Sequence, residues 1–468
     1  MSEAIREMIV PGTFIEVRAE GLIGVGSIAT GNIGIVGTAA RGPVNEVRGI
    51  GSYSEALDLY GDYDPASTEN ALTLNRALEQ AFGNGAGNVF AVRIANGEPA
   101  TASLPINTEG GDLGFTLTAV EAGSWANAIT VRLTEEVEGD TSRWKLSLTH
   151  KLTTEVFEGA DLAAVHTALA TSTLVTVDAI QNPADGFTAI DPATSLTGGT
   201  DGADVSSVDV AAGLALLEDQ PVNIVLTAGL GSTVVRSVVG AHLEQTENDG
   251  RERLAVVGVS SSGAANDPAD PIAEVGAISD DRIILCAPGL RTTDAATGDV
   301  TSLPAAYMAA AVAGKLSTLA PHISLTNATV NVGDLEPKYN TTAVTNLLLN
   351  RMLVVRQKQG FQVVRGISTD PGPFTQISVR RIVDFAKAGV RLGSDPYIGR
   401  LNNSRVRGAL KATLDGFLSE MVLSEMLVGY ELEVSATRAQ EIQGIAAVTM
   451  TLQPTFSIDF IRVTMNLQ

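Results

Sequence analysis

At 468 residues the chain is long enough for several domains, and a composition 44% hydrophobic but only 4% aromatic describes globular cores built from Val, Ile, Leu and Ala. A formal net charge of −22 weighs against nucleic acid as the main partner, and a single cysteine, Cys286, excludes an internal disulfide framework. Cys286 sits in the apolar run "RIILCAPG" and reads as a small buried core residue.

Residues 1–20 read as an arm: "TFIEVRAE" (13–20) is able to form a strand after the Pro11–Gly12 punctuation, and the opening "MSEAIREMIVPG" has no apolar stretch of the secretory-signal kind. "NIGIVGTAA" (32–40) reads as a buried strand ended by the Gly42–Pro43 turn. "SYSEALDLYG" (52–61) reads as a short helix closed by Gly61, and 67–87 as a longer one with Ala71, Leu74, Leu78 and Phe82 on one face. "NVFAVRI" (88–94) is the next strand, so the rhythm is β-α-β. From about 100 the texture changes. "GFTLTAV", "AITVRLTEE" and "WKLSLTHK" alternate with Gly, Asp and Ser, so 100–198 reads as a separate, mostly β module. After "LTGGTDGADVSSVD" (196–209) the α/β rhythm resumes, with strands at 222–229, 252–260 and 281–289 and a helix at 232–245. Residues 21–99 and 199–349 therefore read as one discontinuous α/β core domain. The most apolar helix, near Leu303–Leu319, contains Lys315 and is too short and Ala-rich to span a bilayer.

From about 350 to 454 the pattern is α+β. Helices over 376–393 and 404–424 carry apolar faces, the second through Val406, Leu410, Leu414, Phe417 and Met421, and strands follow at 429–436 and 444–454. The terminal stretch 455–468 alternates: Phe456, Ile458 and Phe460 are apolar, then Ile461, Val463, Met465 and Leu467. The phase flips between Phe460 and Ile461, as it does at a bulge or where a strand leaves one sheet to enter another. The whole reads as an α/β multidomain chain: a core domain with an inserted β-rich domain, an α+β C-terminal domain, and strand arms at both ends.

Charge divides along the same lines. Residues 1–349 hold 17 Lys+Arg against 43 Asp+Glu, whereas 351–411 hold 12 basic residues and three acids, Asp370, Asp384 and Asp395. Arg380, Arg381, Lys387 and Arg391 fall on one helix, and Arg400, Arg405, Arg407 and Lys411 surround the start of the next. A docking face for an acidic protein surface is the favoured reading; a solvated helix face and a nucleic-acid site are the alternatives.

No catalytic constellation stands out. Gly229-x-Gly231 falls between a strand and a helix, but Val234 occupies the third small-residue position of a dinucleotide fingerprint, and no acid ends the following strand. A nucleotide-binding α/β enzyme using that turn is the alternative function. His150, His166, His242 and His322 lack metal-ligand spacing, and "VGVSSSG" (257–263) has Ser262 where a nucleophile elbow needs its last Gly. Neither an enzyme activity, nor a metal, nor a cofactor is expected.

Several stretches together resemble the tail sheath proteins of contractile phages and related contractile injection systems. "PGTFIEV" (11–17) resembles the family's Pro-Gly-Val-Tyr-type motif, "IVGTAARGPVNE" (35–46) its strand and Gly-Pro-Val-Asn loop, and "AFGNGAGNVFAVRI" (81–94) its aromatic-Asn-Gly turn into a strand. "GSWANAITVRL" (123–133) is similar to the Gly-x-Trp-Gly-Asn start of the inserted domain, with Ala126 for the usual Gly, and "LTGGTDG" (196–202) to its closing motif. "ISVRRIVDFAKAGV" and the strands of 444–468 resemble the C-terminal domain, while 290–350 matches more loosely. The resemblance implies a structural subunit, assembled in the bacterial host cytoplasm, that stacks as hexameric rings around an inner tube and contracts to drive the tube through a target envelope. Its implied partners are neighbouring sheath subunits, the inner tube protein, and baseplate and tail-terminator proteins, with no direct nucleic acid and no membrane insertion. It further implies strand donation between subunits by Phe14, Ile15 and Val17 and by Ile461, Val463, Met465 and Leu467. The C-terminal domain would line the tube, with Arg380, Arg381, Lys387, Arg391, Arg400, Arg405 and Arg407 as tube-facing candidates.

Overall fold

A computed structural model describes residues 28–62, 72–138, 141–181, 186–294 and 297–467; the N-terminal arm, with Phe14, Ile15 and Val17, lies outside the described residues. The described residues divide into two compact units, one within 31–318 and 325–375, the other within 28–30, 319–324 and 376–467.

The larger unit opens with β1 (Ile33–Gly37), β2 (Val47–Ile50), α1 (Tyr53–Tyr60), α2 (Leu74–Gly83) and β3 (Val89–Arg93). The insert follows: β4 (Ser103–Asn107), β5 (Leu113–Ala119), β6 (Thr130–Glu138), β7 (Thr141–His150), β8 (Thr153–Gly159), α3 (Leu162–Leu169), β9 (Val175–Val177) and β10 (Ile190–Ser195). The α/β chain resumes with α4 (Ser207–Leu216), β11 (Ile224–Thr227), α5 (Ser232–Asn248), β12 (Leu254–Gly258), α6 (Ala269–Gly276) and β13 (Ile283–Ala287). It closes with β14 (Gly289–Thr293), β15 (Val300–Leu303), α7 (Ala305–Ser317), β16 (Thr329–Val330), β17 (Asp334–Glu336), α8 (Thr341–Leu349), β18 (Leu353–Gln357) and β19 (Phe361–Val363).

These strands build a nine-stranded sheet in the order β16-β19-β18-β13-β12-β11-β1-β3-β2, parallel from β18 through β3. Its central strands, such as Ile283–Ala287, are buried along their whole length, which is why they read as unbroken apolar runs instead of alternating ones. α7 is buried almost all round, and its many alanines and Gly314 let it lie in the core without a polar face. The domain boundary expected at 350 is corrected here. β18 pairs in parallel with β13 (Cys286↔Leu353, Ala287↔Val354), so 353–363 completes the sheet of the larger unit and the second unit resumes at Gln376. The charge shift near 350 is a surface property, and the buried run Met352–Val355 overrides it.

The insert has its own core, built on Phe115, Leu117, Val131, Leu146, Leu148 and Phe187 between the sheets β10-β6-β7-β8 and β4-β5-β9. The loop between β5 and β6 is tied to the exit of the insert where the glycine-rich motifs lie. Asn127 and Gly199 exchange hydrogen bonds (2.8 and 2.9 Å), and Asp201 accepts from the backbone N and hydroxyl of Ser124. A Cβ on Gly199 would stand 2.4 Å from the Gly123 carbonyl, and one on Gly123, at φ 147°, 2.0 Å from that of Ala40. Arg93, 1% exposed, donates to the carbonyls of Gly42 (2.7 Å) and Ala122 (2.9 Å), binding the end of β3 to the loop after β1 and to the loop between β5 and β6.

Another buried arginine makes the larger unit acid-sensitive. Arg253 donates to the carbonyls of Glu218 and Gln220, and its Nη1 lies 3.0 Å from His242 Nε2. A guanidinium only donates, so Nε2 accepts and the imidazole is neutral. Burial, reinforced by the Arg253 charge, pulls His242 down to about 4. A histidine that titrates near its ordinary 6.5 when unfolded binds a proton there before it does in the native state, so stability is lost as pH falls from 6.5 toward 4. Between pH 7 and about 4.5 we expect His242 to account for a loss of about 2 kcal/mol. Urea unfolding at the two pH values measures it, and His242→Gln, which keeps an acceptor and cannot titrate, should remove that part of the slope. An unchanged slope in the variant contradicts the assignment.

Candidate assembly surfaces

The C-terminal unit is built from α9 (Ile377–Ser394), α10 (Ser404–Leu423), β20 (Leu427–Ser435), α11 (Arg438–Ile442) and β21 (Ala447–Pro454). α9 and α10 approach closely because Gly389 makes room for Phe417: a Cβ at 389 would sit 2.0 Å from the ring. Around that contact Ile382, Ala386, Leu418, Met421 and Leu427 form a core, and Tyr430, Leu432, Met450 and Leu452 pack onto it from one face of the antiparallel pair β20–β21. Among the described residues this sheet has only two strands, so both of its outer edges lack a strand partner. Such edges are templates for an added strand.

Residues 455–467 belong to no helix or strand, and their apolar side chains point to solvent. Gln376, at the N-cap of α9, grips the first part: its Nε2 donates to the Ser457 carbonyl and Asp459 Oδ2 (both 3.3 Å), and its Oε1 accepts from Ser457 N (3.1 Å). The polar residues 457 and 459 thus face the unit while Phe456, Ile458 and Phe460 face out, and from Ile461 to Leu467 every residue is exposed. The change of phase at Phe460–Ile461 coincides with this change of surroundings. Gln376 had no signal in the sequence, because its role depends on a segment about eighty residues away.

The basic candidates separate into two groups. Arg380 and Arg381 are each 6% exposed, which corrects their assignment to a docking face. Arg380 pairs with Asp384 at 2.8 Å, one turn on. Arg381 donates to the carbonyls of Leu319 (2.9 Å), Thr30 (3.1 Å) and Ala320 (3.4 Å), and burial, opposed by Asp384, pulls its guanidinium down to about 10, still charged at neutral pH. Residues 377–382 are buried all round the first turn of α9, so adjacent arginines there have no route to solvent. Arg407 is also engaged: it donates to Asn402 Oδ1 and to Glu441, whose carboxyl is held below its usual range by hydrogen bonds from Arg438 and from Arg407 itself. Arg400 and Arg405 are exposed, Arg400 lying over the Tyr397 ring, and Lys387 and Arg391 are half-buried along α9.

The Gly229-x-Gly231 turn does open α5, but the chain itself fills the helix N-terminus. The Ser260 hydroxyl accepts from Thr233 N (3.0 Å), and the Glu274 carboxylate accepts from Ser260 N (2.7 Å) and from the Ser232 hydroxyl. The Ser260 hydroxyl thus takes up a donor of the helix N-terminus, and the nearby Glu274 carboxylate disfavours a phosphate there. Among the described residues no group of three or more His, Cys, Asp or Glu could hold a metal ion, and no helix is long and apolar enough to cross a membrane.

Residues 369–468 match the phage tail sheath C-terminal domain family. No curated protein matches the chain. Among solved structures, the sheath tail protein from Desulfitobacterium hafniense superposes with a TM-score of 0.69 at 18% identity, over 95% of this chain and 100% of that one. The sheath tail protein from Listeria innocua gives 0.64 at 17%, over 94% and 95%. The helical sheath of the anti-feeding prophage in its contracted state gives 0.57 at 14%, over 98% and 99%. At such identities the likeness is one of fold, and it runs through both units and the insert.

Proposed function

We propose that this chain, with a phage tail sheath C-terminal domain at residues 369–468 on a body of sheath-tail-protein fold, is a structural subunit of a contractile tail sheath. Its copies stack as hexameric rings around an inner tube, in a phage tail or tail-like particle assembled in the bacterial cytoplasm, and end at baseplate and terminator proteins. The sheath shortens from a metastable extended state and drives the tube through a target envelope. Such a machine needs no cofactor, because two packings of one chain that differ by a few kcal/mol per copy sum over very many copies.

The observation that carries this reading is the pairing of an exposed apolar terminal segment, 456–467, with a two-stranded sheet whose edges have no strand partner, in the family-matched domain. Ile461, Val463, Met465 and Leu467 are the donor face, and β20–β21 is the acceptor in a neighbour. Main-chain hydrogen bonds then tether subunits while their bodies move. Sedimentation of the purified chain tests this: particles far larger than a ring are expected, and a chain that remains a monomer or small oligomer at every salt concentration contradicts it.

Lys387, Arg391, Arg400 and Arg405 are the residues we assign to an acidic tube surface. Four screened ion pairs of about 0.5 kcal/mol each sum to roughly 2 kcal/mol per subunit, strong enough to align the sheath and weak enough to release. Reversing all four to Glu should weaken tube co-assembly about thirtyfold at low salt and leave sheath self-assembly intact. Unchanged co-sedimentation with tube would remove the assignment.

A further inference from the structure

We propose that the larger unit carries a head-to-tail contact between copies of this chain, in which a cationic groove at the C-terminal end of its parallel strands receives the acidic groove at their N-terminal end on a second copy. The cationic groove, about 370 Å³, is lined by Lys338, Arg356 and Lys358 over Leu335, Tyr339 and Val355, and none of its lining residues is a carboxylate. Lys338 reaches out to Asp334, whereas among the described residues neither Arg356 nor Lys358 has an ion-pair partner. Arg41, Arg93, Arg132, Arg143 and Arg282, elsewhere in this unit, each have one.

The acidic groove, about 820 Å³, lies along α5 and the turn into β13. It gathers Glu244, Asp280, Asp281 and Asp370, together with Glu247, which is bonded to Arg282; Arg236 is its other cation. Burial raises the Asp280 carboxyl, and Glu244 is the exposed acid of the groove, with Asp281 half-buried beside it.

The parallel register places the two grooves at opposite ends of one sheet. Residues 280–282 precede β13, and Thr369 N donates to the Ile283 carbonyl there, whereas Arg356 and Lys358 stand at the far end of the neighbouring β18. The strands between them are five residues long, roughly 17 Å, about twice the screening length at physiological salt. Opposite charges so spaced do little for one another within a subunit. Between subunits they define a heterologous contact, in which one end of a copy meets the other end of the next, and repeated rotation yields a ring or a helix. The same contact offsets the mutual repulsion of copies that each carry a net charge of −22.

The inference rests on the reading that copies assemble, and the wild-type arm of the test separates the two. Light scattering at low salt follows assembly of the full-length chain and two variants, Arg356→Glu/Lys358→Glu and Glu244→Lys/Asp281→Lys, with far-ultraviolet circular dichroism as the folding control. Each variant alone should assemble at least tenfold more slowly than wild type. A one-to-one mixture of the two should recover, because one then presents acid at both ends and the other base at both. The chain carrying all four substitutions should recover as well. Folded variants that assemble like wild type, or a mixture and a fourfold variant as slow as the variants alone, overturn the contact while leaving sheath assembly standing. A wild-type chain that never assembles overturns both. Salt-sensitive binding of duplex DNA that Arg356→Glu/Lys358→Glu removes, with self-assembly unaffected, overturns it in favour of a polyanion site.

Discussion

Truncating the chain after Phe460 removes ordered assembly and leaves a folded subunit. Ile461, Val463, Met465 and Leu467 are 83, 72, 85 and 99% exposed, so the subunit loses no packing of its own when they go. In a neighbour's sheet each apolar side chain contributes about 1.5–3 kcal/mol when buried, and the main chain adds a ladder of hydrogen bonds. We expect assembly to weaken at least a hundredfold, about 3 kcal/mol, with thermal unfolding of the monomer unchanged. The strand geometry makes a finer statement. Aspartate at Val463 and Met465 should be nearly as damaging as the truncation, whereas alanine at Thr464 and Asn466, on the other face, should cost little. Equal damage on both faces would mean that the segment does not enter a sheet. Assembly of the truncated chain at the wild-type rate would mean that it is not a donor.

Replacing Arg381 by methionine destabilises the C-terminal unit by about 3 kcal/mol, because three carbonyls lose their donor at once and the apolar stem alone remains. Those carbonyls belong to Thr30, where the chain leaves this unit, and to Leu319 and Ala320, where it first returns. Arg381 therefore fastens two distant segments to α9. Hydrogen exchange of α9 and of 319–324 should accelerate about a hundredfold in the variant. A change of less than about fivefold would show that the bonds do not hold the unit.

Much of the architecture was legible because it repeats a local rule. The apolar face of α10 and the capped ends of α1, with Ser52 accepting from Glu55 N and Gly61 at φ 75°, follow from helical period and turn chemistry alone. The period-two alternation of the tail marks it as strand-forming, although residues 455–467 join no strand among the described residues. What the sequence hid depends on pairing across long separations. The run "MLVVR" carries no mark that says it completes a sheet begun at Ile33, and the change of charge near 350 suggests a boundary that the sheet does not respect. Arg380 and Arg381 count as surface charge in any composition, yet the apolar neighbours Val379 and Ile382 on a turn buried all round carry both inward, to Asp384 and to backbone carbonyls. The open edges of β20–β21 and the grip of Gln376 on Ser457 became visible only with the fold.

Negative-stain electron microscopy of the purified full-length chain tests the central claim most directly. Striated cylinders with a central bore are the expected result, lost on truncation after Phe460. Discrete globular particles of one to a few subunits, at protein and salt concentrations that favour association, would contradict a sheath.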